Sequence, residues 1–281
     1  MDENAPASGW FEGLERGDLD ATSEAVRTGD AEEPRDWPAL AVESGFAADA
    51  ADYYDALHDA TVAATREAVH ERERADDQQL KFAVRAMDDA DRTANELAER
   101  VAEWAGALFA DAGTGVGGAR EIAARDPTTP PERRVVSLAE RVTDLVEEAD
   151  DLRSFVERAA PAVAPNLSRM AGPVLAARLI ALAGGLEELA KKPSGTVQVL
   201  GAEDALFAHL AGCAPSPKHG VIYTHDYVRN TRPEDRGSAA RALAGKLAIA
   251  ARVDHYSGDL RPSIHEELDD RIATIRSRAD S

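Results

Sequence analysis

Apolar residues recur at helical spacing through the middle of the chain. Between residues 80 and 108 they advance in nearly alternating steps of four and three, and between residues 135 and 156 the alternation is strict. The first seam comprises Leu80, Val84, Met87, Ala90, Ala94, Leu97, Val101, Trp104 and Leu108, and the second Val135, Leu138, Val142, Leu145, Ala149, Leu152 and Val156. A period close to 3.5 predicts two long helices, each with one apolar seam.

Helix-breaking sequences separate the two seams. GTGVGG at residues 113–118 and DPTTPPE at residues 126–132 concentrate Gly and Pro between them. Two seamed helices joined by such a segment predict a long antiparallel coiled-coil hairpin, which we assign to residues 46–165. Two helices of an ordinary globular bundle are the alternative. A hairpin of this kind commonly pairs with a copy of itself, so self-association is expected.

The segments on either side of the hairpin differ from it in pattern. Residues 1–45 lack a sustained period and predict a short, weakly structured lead with a few helical turns packed by Trp10, Phe11 and Trp37. Residues 166–185 are apolar on most sides, which predicts a buried helix closed by Gly184 and Gly185. Shorter helices are predicted at residues 196–210, 236–257 and 264–278, and VIY at residues 221–223 is too short to found a sheet. The predicted fold is all-α, with a compact helical domain at residues 166–281.

The chain is strongly acidic, with 32 basic and 52 acidic residues and a net charge of −20. Only five residues are lysines, a bias typical of proteins that work in molar salt, so we infer a halophilic cytoplasm; an ordinary acidic protein is the alternative. Without a signal peptide, an apolar run of membrane-spanning length or any cysteine besides Cys213, we expect a cytoplasmic protein without disulfides.

Charge is distributed unevenly along the chain. Residues 166–261 hold 12 Lys and Arg against 9 Asp and Glu, a net of +3, which leaves −23 for the remainder. A segment that stays basic in so acidic a chain is a candidate surface for binding anions. A chance distribution of charged residues is the alternative, so the assignment of an anion-binding surface depends on the local motifs.

No motif indicates catalysis. The seven histidines are scattered without metal-ligand spacing, and GTGVGG lacks the Lys-Ser/Thr that follows in a phosphate loop. We therefore expect neither an enzyme nor a metal or cofactor site. An RNA-processing enzyme that uses His219 and His225 as an acid–base pair is a minor alternative.

Cations and planar side chains gather in two C-terminal stretches instead. APSPKHGVIYTHDYVRN carries Lys218, His219 and His225 in a loop stiffened by proline, together with two tyrosines. RGSAARALAGKLAIAARVD predicts a helix whose outer face carries Arg241 and Lys246. Such groups suit phosphate contact and stacking on unpaired bases. A structural turn and an ordinary solvated helix face are the alternatives.

The C-terminal stretches resemble a known family. NLSRMAGPVLAARLIALAGGLEELAKKPSGTVQVLGAEDALFAHL, PKHGVIYTHDYV and RGSAARALAGKLAIAARVDHYSGD, in this order across residues 166–259, are similar to the Nop domain of archaeal Nop proteins of the fifty-six/fifty-eight type. A weaker likeness extends back into the predicted hairpin. The resemblance therefore assigns residues 166–281 to a Nop domain.

The resemblance implies a function without catalysis. Proteins of this family are scaffolds of box C/D guide ribonucleoproteins, which direct 2′-O-methylation of ribosomal and transfer RNA. The resemblance implies as partners a guide RNA with a kink-turn, the ribosomal-type protein that binds this kink-turn, and the fibrillarin methyltransferase. The RNA-binding residues that we expect are Lys218, His219, His225, Arg236, Arg241 and Lys246.

Two departures and one rival limit these expectations. The family usually has Lys where Asp204 stands and Arg where Ala208 stands, and residues 1–45 are far shorter than its usual fibrillarin-binding domain. We therefore expect fewer RNA contacts from the helix that carries Asp204 and Ala208, and fibrillarin binding that is altered, reduced or moved to the start of the hairpin. A coiled-coil adaptor that binds proteins without RNA is the alternative function.

Overall fold

The computed structural model describes residues 9–30 and 33–277, and the regular structure in these ranges is helical. The predicted all-α fold is thereby confirmed. The chain forms two compact units, Met1–Ala75 and Asp76–Ser281. This division lies inside the segment 46–165 that the sequence assigned to the hairpin, and the predicted domain limits stay predictions. No helix in the described ranges is both long and apolar enough to cross a membrane.

The first unit contains three helices around an aromatic cluster. They are α1 (Leu19–Thr28), α2 (Trp37–Glu43) and α3 (Ala50–Arg74), and each begins after an aspartate whose side chain accepts a backbone N–H of the first turn. Phe11, Phe46 and Tyr53 are buried together, with Trp10 and Trp37 packed against them. The three aromatic residues that were expected to pack the N-terminal lead therefore belong to one core. The start of the predicted hairpin, α3, packs on α1 and α2.

The second unit begins with the hairpin, made of α4 (Asp76–Leu108), α5 (Gly115–Ala123) and α6 (Pro130–Val163). The start of α4 shares a core with the end of α6, and the end of α4 shares another core with the start of α6, so the two helices are antiparallel. Thr129 and Glu132 form a reciprocal cap at the start of α6. Hydrogen bonds from the backbone and side chain of Thr128 lower the pKa of Glu132 to about 2.

The predicted seam positions of α4 and α6 agree only in part with the buried positions. Along α6 the alternate positions Val135, Val142, Ala149 and Val156 are fully buried, whereas the leucines between them are only partly buried. Toward the end of α4 the buried positions are Ala98, Val101 and Ala105, and Trp104 is 40% exposed. The placement of Trp104 in the seam was wrong, because a straight helix of 3.6 residues per turn drifts out of a heptad register.

As far as residue 277, the C-terminal part of this unit consists of eight helices and a 3₁₀ turn at Val221–Thr224. The helices are α7 (Pro165–Ala171), α8 (Pro173–Ala183), α9 (Leu186–Lys191), α10 (Ser194–Val199), α11 (Glu203–Leu210), α12 (Asp226–Arg229), α13 (Arg236–Tyr256) and α14 (Pro262–Ser277).

Two predicted helices are each divided by a glycine. The apolar stretch 166–185 breaks at Gly172, whose φ is +79°, and the stretch 196–210 breaks at Gly201, whose φ is also +79°. Both values lie in the left-handed region that favours glycine. Pro161 lies inside α6, which ends at Val163.

A buried carboxylate fixes α13 in the centre of the C-terminal helices. Asp254 accepts hydrogen bonds from the backbone N–H groups of Asn166 and Leu167, both at 2.9 Å, and from the Asn166 side chain. Asn166 in turn binds the backbone of Asp259 and Arg261. This network supplies the first turn of α7 with the acceptor that it otherwise lacks, so α13 and α7 are held in register.

Candidate RNA-binding surface

A polar groove of about 500 Å³ lies between α10, residues 216–218 and the first turns of α13. Lys218 and Arg241 line it, together with Gln198, Ser238 and Glu234. Both cationic side chains are exposed, and neither has an ion pair within the described residues. Two positive charges without a partner, facing one groove, are available for an anion. We call this surface the basic groove.

Backbone pairing holds the loop that carries Lys218. The Gly220 N–H donates to Gln198 O at 2.8 Å and the Val221 N–H donates to Leu200 O at 2.7 Å. The Gln198 side chain also donates to Lys218 O at 2.7 Å. A Cβ at position 220 would lie 1.9 Å from Leu200 O, so only glycine allows this approach.

His219 and Arg236 both contact the ring of Tyr223. The His219 and Tyr223 centroids are 4.5 Å apart with their planes 21° apart, and the Arg236 guanidinium carbon lies 5.5 Å from the Tyr223 centroid. Arg236 is further fixed by donation to Thr231 O at 3.0 Å. Burial lowers the pKa of His219, and the nearby charges of Arg236 and Lys218 lower it further. The imidazole is thus a neutral planar surface next to the basic groove.

Four of the six expected residues therefore lie on one side of this unit. Gly237, which adjoins Arg236, approaches the Lys218 side chain at the groove, and Arg241 follows one helical turn later. The structure therefore brings three cations, Lys218, Arg236 and Arg241, close to the imidazole of His219.

The other two expected residues are engaged elsewhere. His225 contacts the Met170 carbonyl oxygen through Nε2 at 3.0 Å, and its Nδ1 accepts the Tyr227 N–H at 3.1 Å. Lys246 is only partly exposed and forms an ion pair with Glu267 of α14. The geometry does not favour either residue as an RNA contact. Because both ring nitrogens of His225 are occupied, it also does not favour His225 as half of an acid–base pair.

Gln198 was not anticipated from the sequence as part of this surface. It lies 20 residues before Lys218, in α10, and no local pattern links the two. Tyr223 was anticipated only as a planar ring in the loop, since its contact with Arg236 depends on how α13 packs. In the ranges that the structure describes, no group of His, Cys, Asp and Glu is arranged to hold a metal ion.

Comparison with known proteins gives consistent results. Residues 124–274 match the family model Nop, described as snoRNA binding domain, fibrillarin. A NOP5 family protein of Methanocaldococcus jannaschii is 46% identical over 144 residues, which cover 51% of this chain and 35% of that protein. Nucleolar protein 58 of Schizosaccharomyces pombe is 32% identical over 233 residues, which cover 70% of this chain and 46% of that protein. This chain spans less than half the length of either relative.

A solved structure resembles nearly the whole chain. A chain in the crystal structure of a fibrillarin/Nop5p complex has a TM-score of 0.54 and 25% sequence identity to this protein. The match covers 91% of this chain and 92% of the other. The likeness therefore includes the N-terminal unit as well as the hairpin and the C-terminal helices.

Proposed function

The chain belongs to the Nop family, and from this premise we propose that it is a non-enzymatic RNA-binding scaffold of a box C/D guide ribonucleoprotein. It binds a kink-turn RNA together with the ribosomal-type protein on that RNA, and it positions fibrillarin for 2′-O-methylation of ribosomal and transfer RNA. The names of the matching family and complex support this assignment.

The basic groove is the observation that carries the proposal. In a chain of net charge −20, Lys218 and Arg241 stay free of carboxylate partners and face the same groove. Other surface cations of this chain, such as Lys191, Arg229 and Lys246, form ion pairs with carboxylates. Two that remain open beside a fixed planar imidazole suit a phosphate and an adjoining unpaired base.

Exposed apolar side chains supply surfaces for protein partners. Phe207 and Leu210 of α11 are 65% and 72% exposed, close along the chain to the loop that bears Lys218. We assign them to the kink-turn protein, so that RNA and protein are recognised together. Along α6 the seam residues Leu138, Leu145 and Leu152 remain partly exposed, which supports self-association through the hairpin.

The N-terminal unit is the candidate contact for fibrillarin. It contains a cavity of about 360 Å³ lined by Trp10, Trp37 and Leu57, which suits an apolar side chain of a partner. Reconstitution with fibrillarin, a guide RNA and the kink-turn protein, followed by an assay of methyl transfer, tests this role. Methyl transfer that does not depend on this chain contradicts it.

The adaptor hypothesis makes a different prediction about the groove. An adaptor that binds only proteins has no use for unpaired cations around a polar cavity, whereas an RNA-binding protein requires them. RNA that copurifies with the protein, and is lost on replacement of the groove cations, favours the scaffold function. Purification without RNA from cells that contain the guide RNAs favours the adaptor.

Charge removal in the groove provides the direct test. We expect Lys218→Ala and Arg241→Ala each to weaken binding to the RNA–protein complex by about tenfold, because each removes one charge-assisted hydrogen bond. Arg271→Ala is the matched control, since Arg271 is also an exposed arginine without an ion pair in the described residues, but lies in α14 away from the groove. Binding is measured by gel shift at molar salt.

The two outcomes are easily separated. Because both side chains are exposed, we expect the variants to keep their fold. Unfolding curves that coincide with that of the wild type would show this. Unchanged affinity in the groove variants, or an equal loss in Arg271→Ala, contradicts the proposed surface.

A further inference from the structure

A second cavity lies next to the basic groove and has no role in the function proposed so far. It measures about 430 Å³ and is enclosed by α4, α8, Gly201 and residues 220–224. The paired segments 198–201 and 217–221 connect the two sites: Gln198 and Lys218 line the groove, whereas Gly201 and Gly220 line the cavity. An RNA bound in the groove therefore lies beside the paired segments that also line this cavity.

Its walls are mainly apolar. Val84, Leu182 and Val221 face the space, and Leu182 remains 44% exposed although it ends an otherwise buried helix. A large aliphatic side chain left in contact with water inside a cavity favours an apolar surface that covers it. The flat face of a ring satisfies that requirement.

Hydrogen-bonding groups with unused capacity lie among these walls. Arg85 uses one guanidinium N–H, which donates to Ala181 O at 3.0 Å, and its other N–H groups have no acceptor in the described part of the chain. Asp88 accepts from Arg178 through both carboxylate oxygens, at 3.1 and 2.5 Å, and each oxygen keeps a lone pair for a further donor. The Tyr223 hydroxyl has no hydrogen bond within the described residues.

Apolar walls combined with unused hydrogen-bonding groups distinguish between a protein side chain and a nucleobase as the occupant of the cavity. An apolar side chain of a protein would cover Leu182 but would remove water from Arg85, Asp88 and Tyr223 without replacing the lost hydrogen bonds, which is costly. A nucleobase presents an apolar face and an edge that both donates and accepts. The cavity therefore fits a base better than an aliphatic side chain.

We propose that this cavity, between α4, α8 and residues 220–224, receives one unstacked nucleobase of the RNA whose backbone lies in the basic groove. The inference rests on the proposed function, because it requires that the chain bind RNA. It adds a subsite that selects for an unpaired nucleotide at one position of the ligand.

Filling the cavity is the sharpest test. Leu182→Trp places an indole in the space at a position exposed enough to tolerate it, and Leu260→Trp, at a leucine 49% exposed that lines neither site, is the matched control. Each full-length variant is titrated with the kink-turn guide RNA bound to its kink-turn protein. The RNA is used intact and as a series in which single nucleotides are made abasic.

One abasic position should weaken binding to the wild type by about tenfold, as expected for the loss of one bound base. Leu182→Trp should bind intact RNA with the same reduced affinity and show no further loss at that position. Leu260→Trp should behave as the wild type. This coupling between one side chain and one nucleotide is not produced by general destabilisation of the fold.

Other results overturn the inference in distinguishable ways. If every abasic position changes the affinity of the wild type and of Leu182→Trp by the same factor, the base subsite is refuted. RNA binding through the groove is then unaffected by this result. If Leu182→Trp instead weakens binding to the kink-turn protein in the absence of RNA, the cavity takes a protein side chain. If the wild type binds no RNA, the proposed function and the subsite both fail.

Discussion

At the scale of single residues, His225 is the residue whose structural role differs most from the expected one. Its Nδ1 caps α12 by accepting the Tyr227 N–H, and its Nε2 meets the Met170 carbonyl oxygen of α7. Burial lowers the pKa of His225, and the charges of His265 and Arg276 act in the same direction, whereas Met170 O and Asp226 raise it. The neutral ring is the form that fits this site.

The depressed pKa gives a signed prediction for stability. Because His225 binds a proton less readily in the folded chain than in the unfolded chain, its contribution is complete above the unfolded value near 6.5 and is lost as the pH falls through the folded value. Protonation also removes the acceptor that caps α12, a loss of about 1 kcal/mol. The free energy of unfolding, from urea titrations between pH 7.5 and 5, should therefore decrease toward acid pH.

A variant at the same position isolates this contribution. His225→Asn retains a side-chain acceptor for the cap of α12 but does not titrate. The variant should therefore lose less stability than the wild type on acidification. At pH 7.5 we expect it to be less stable than the wild type. His219 remains in both proteins and cancels in the comparison, although burial lowers its pKa too. An identical pH dependence in the two proteins shows that His225 is not the titrating group.

At the scale of elements, α11 is a helix without a buried residue. It begins with Glu203 and Asp204, and Phe207 and Leu210 project from it into solvent. Such a helix contributes little to the core, so its surface is free to serve a partner. Its acidic start opposes an RNA contact, in line with the departure from the family pattern at Asp204 and Ala208.

Restoring the family's charges should strengthen binding. Asp204→Lys with Ala208→Arg changes the net charge of α11 by +3, and we expect a severalfold gain in affinity for the RNA–protein complex at 0.2 M salt that shrinks in molar salt. Gel-shift titrations at both salt concentrations measure it.

The matched control makes the same change in charge on another helix of this unit. Asp270→Lys with Ala273→Arg alters two exposed positions of α14. An equal gain in the control would mean that only the overall charge matters, and α11 would then have no direct contact with RNA. Thermal unfolding checks the small cost of a lysine at a helix N-terminus, about 0.5 kcal/mol.

At the scale of the whole molecule, the net charge of −20 governs how RNA can be held. Long-range attraction is absent for such a chain, and in molar salt the Debye length is about 3 Å. Binding then depends on contacts at hydrogen-bonding distance, stacking and shape. The basic groove is arranged for this regime because its few cations are free of carboxylates and its imidazole is fixed.

The dependence of affinity on salt follows from the number of cations. With two or three phosphates neutralised, the slope of log K against log salt should be about −2, shallow for an RNA-binding protein. Arg241→Ala should make the slope less negative by about 1, and Arg271→Ala should leave it unchanged. Titrations from 0.2 to 2 M KCl measure these slopes, and a steep slope in the wild type would show that charges outside the groove carry the binding.

The sequence by itself determined the class of fold and indicated the segment that holds the candidate RNA-binding surface. Apolar spacing indicates the long helices α4 and α6, because helix periodicity is a local property of the chain. It did not specify their limits, since α4 begins at Asp76 and part of the GTGVGG segment belongs to α5. The concentration of cations in residues 166–261, and the PKHG loop among them, could likewise be read from residue order. Breaks at Gly172 and Gly201 were missed because an apolar stretch with one glycine is compatible with a continuous helix as well.

Only the tertiary structure decided which of the candidate residues act together. Lys218 and Arg241 line one groove because α13 packs beside α10. Lys246 instead pairs with Glu267 of α14, and His225 contacts Met170 of α7. Likewise the cavity that Leu182 lines depends on the contact of α4 with α8. Pairings between residues far apart in the chain are set by how helices pack, and packing depends on the complementarity of whole surfaces, which local periodicity does not encode.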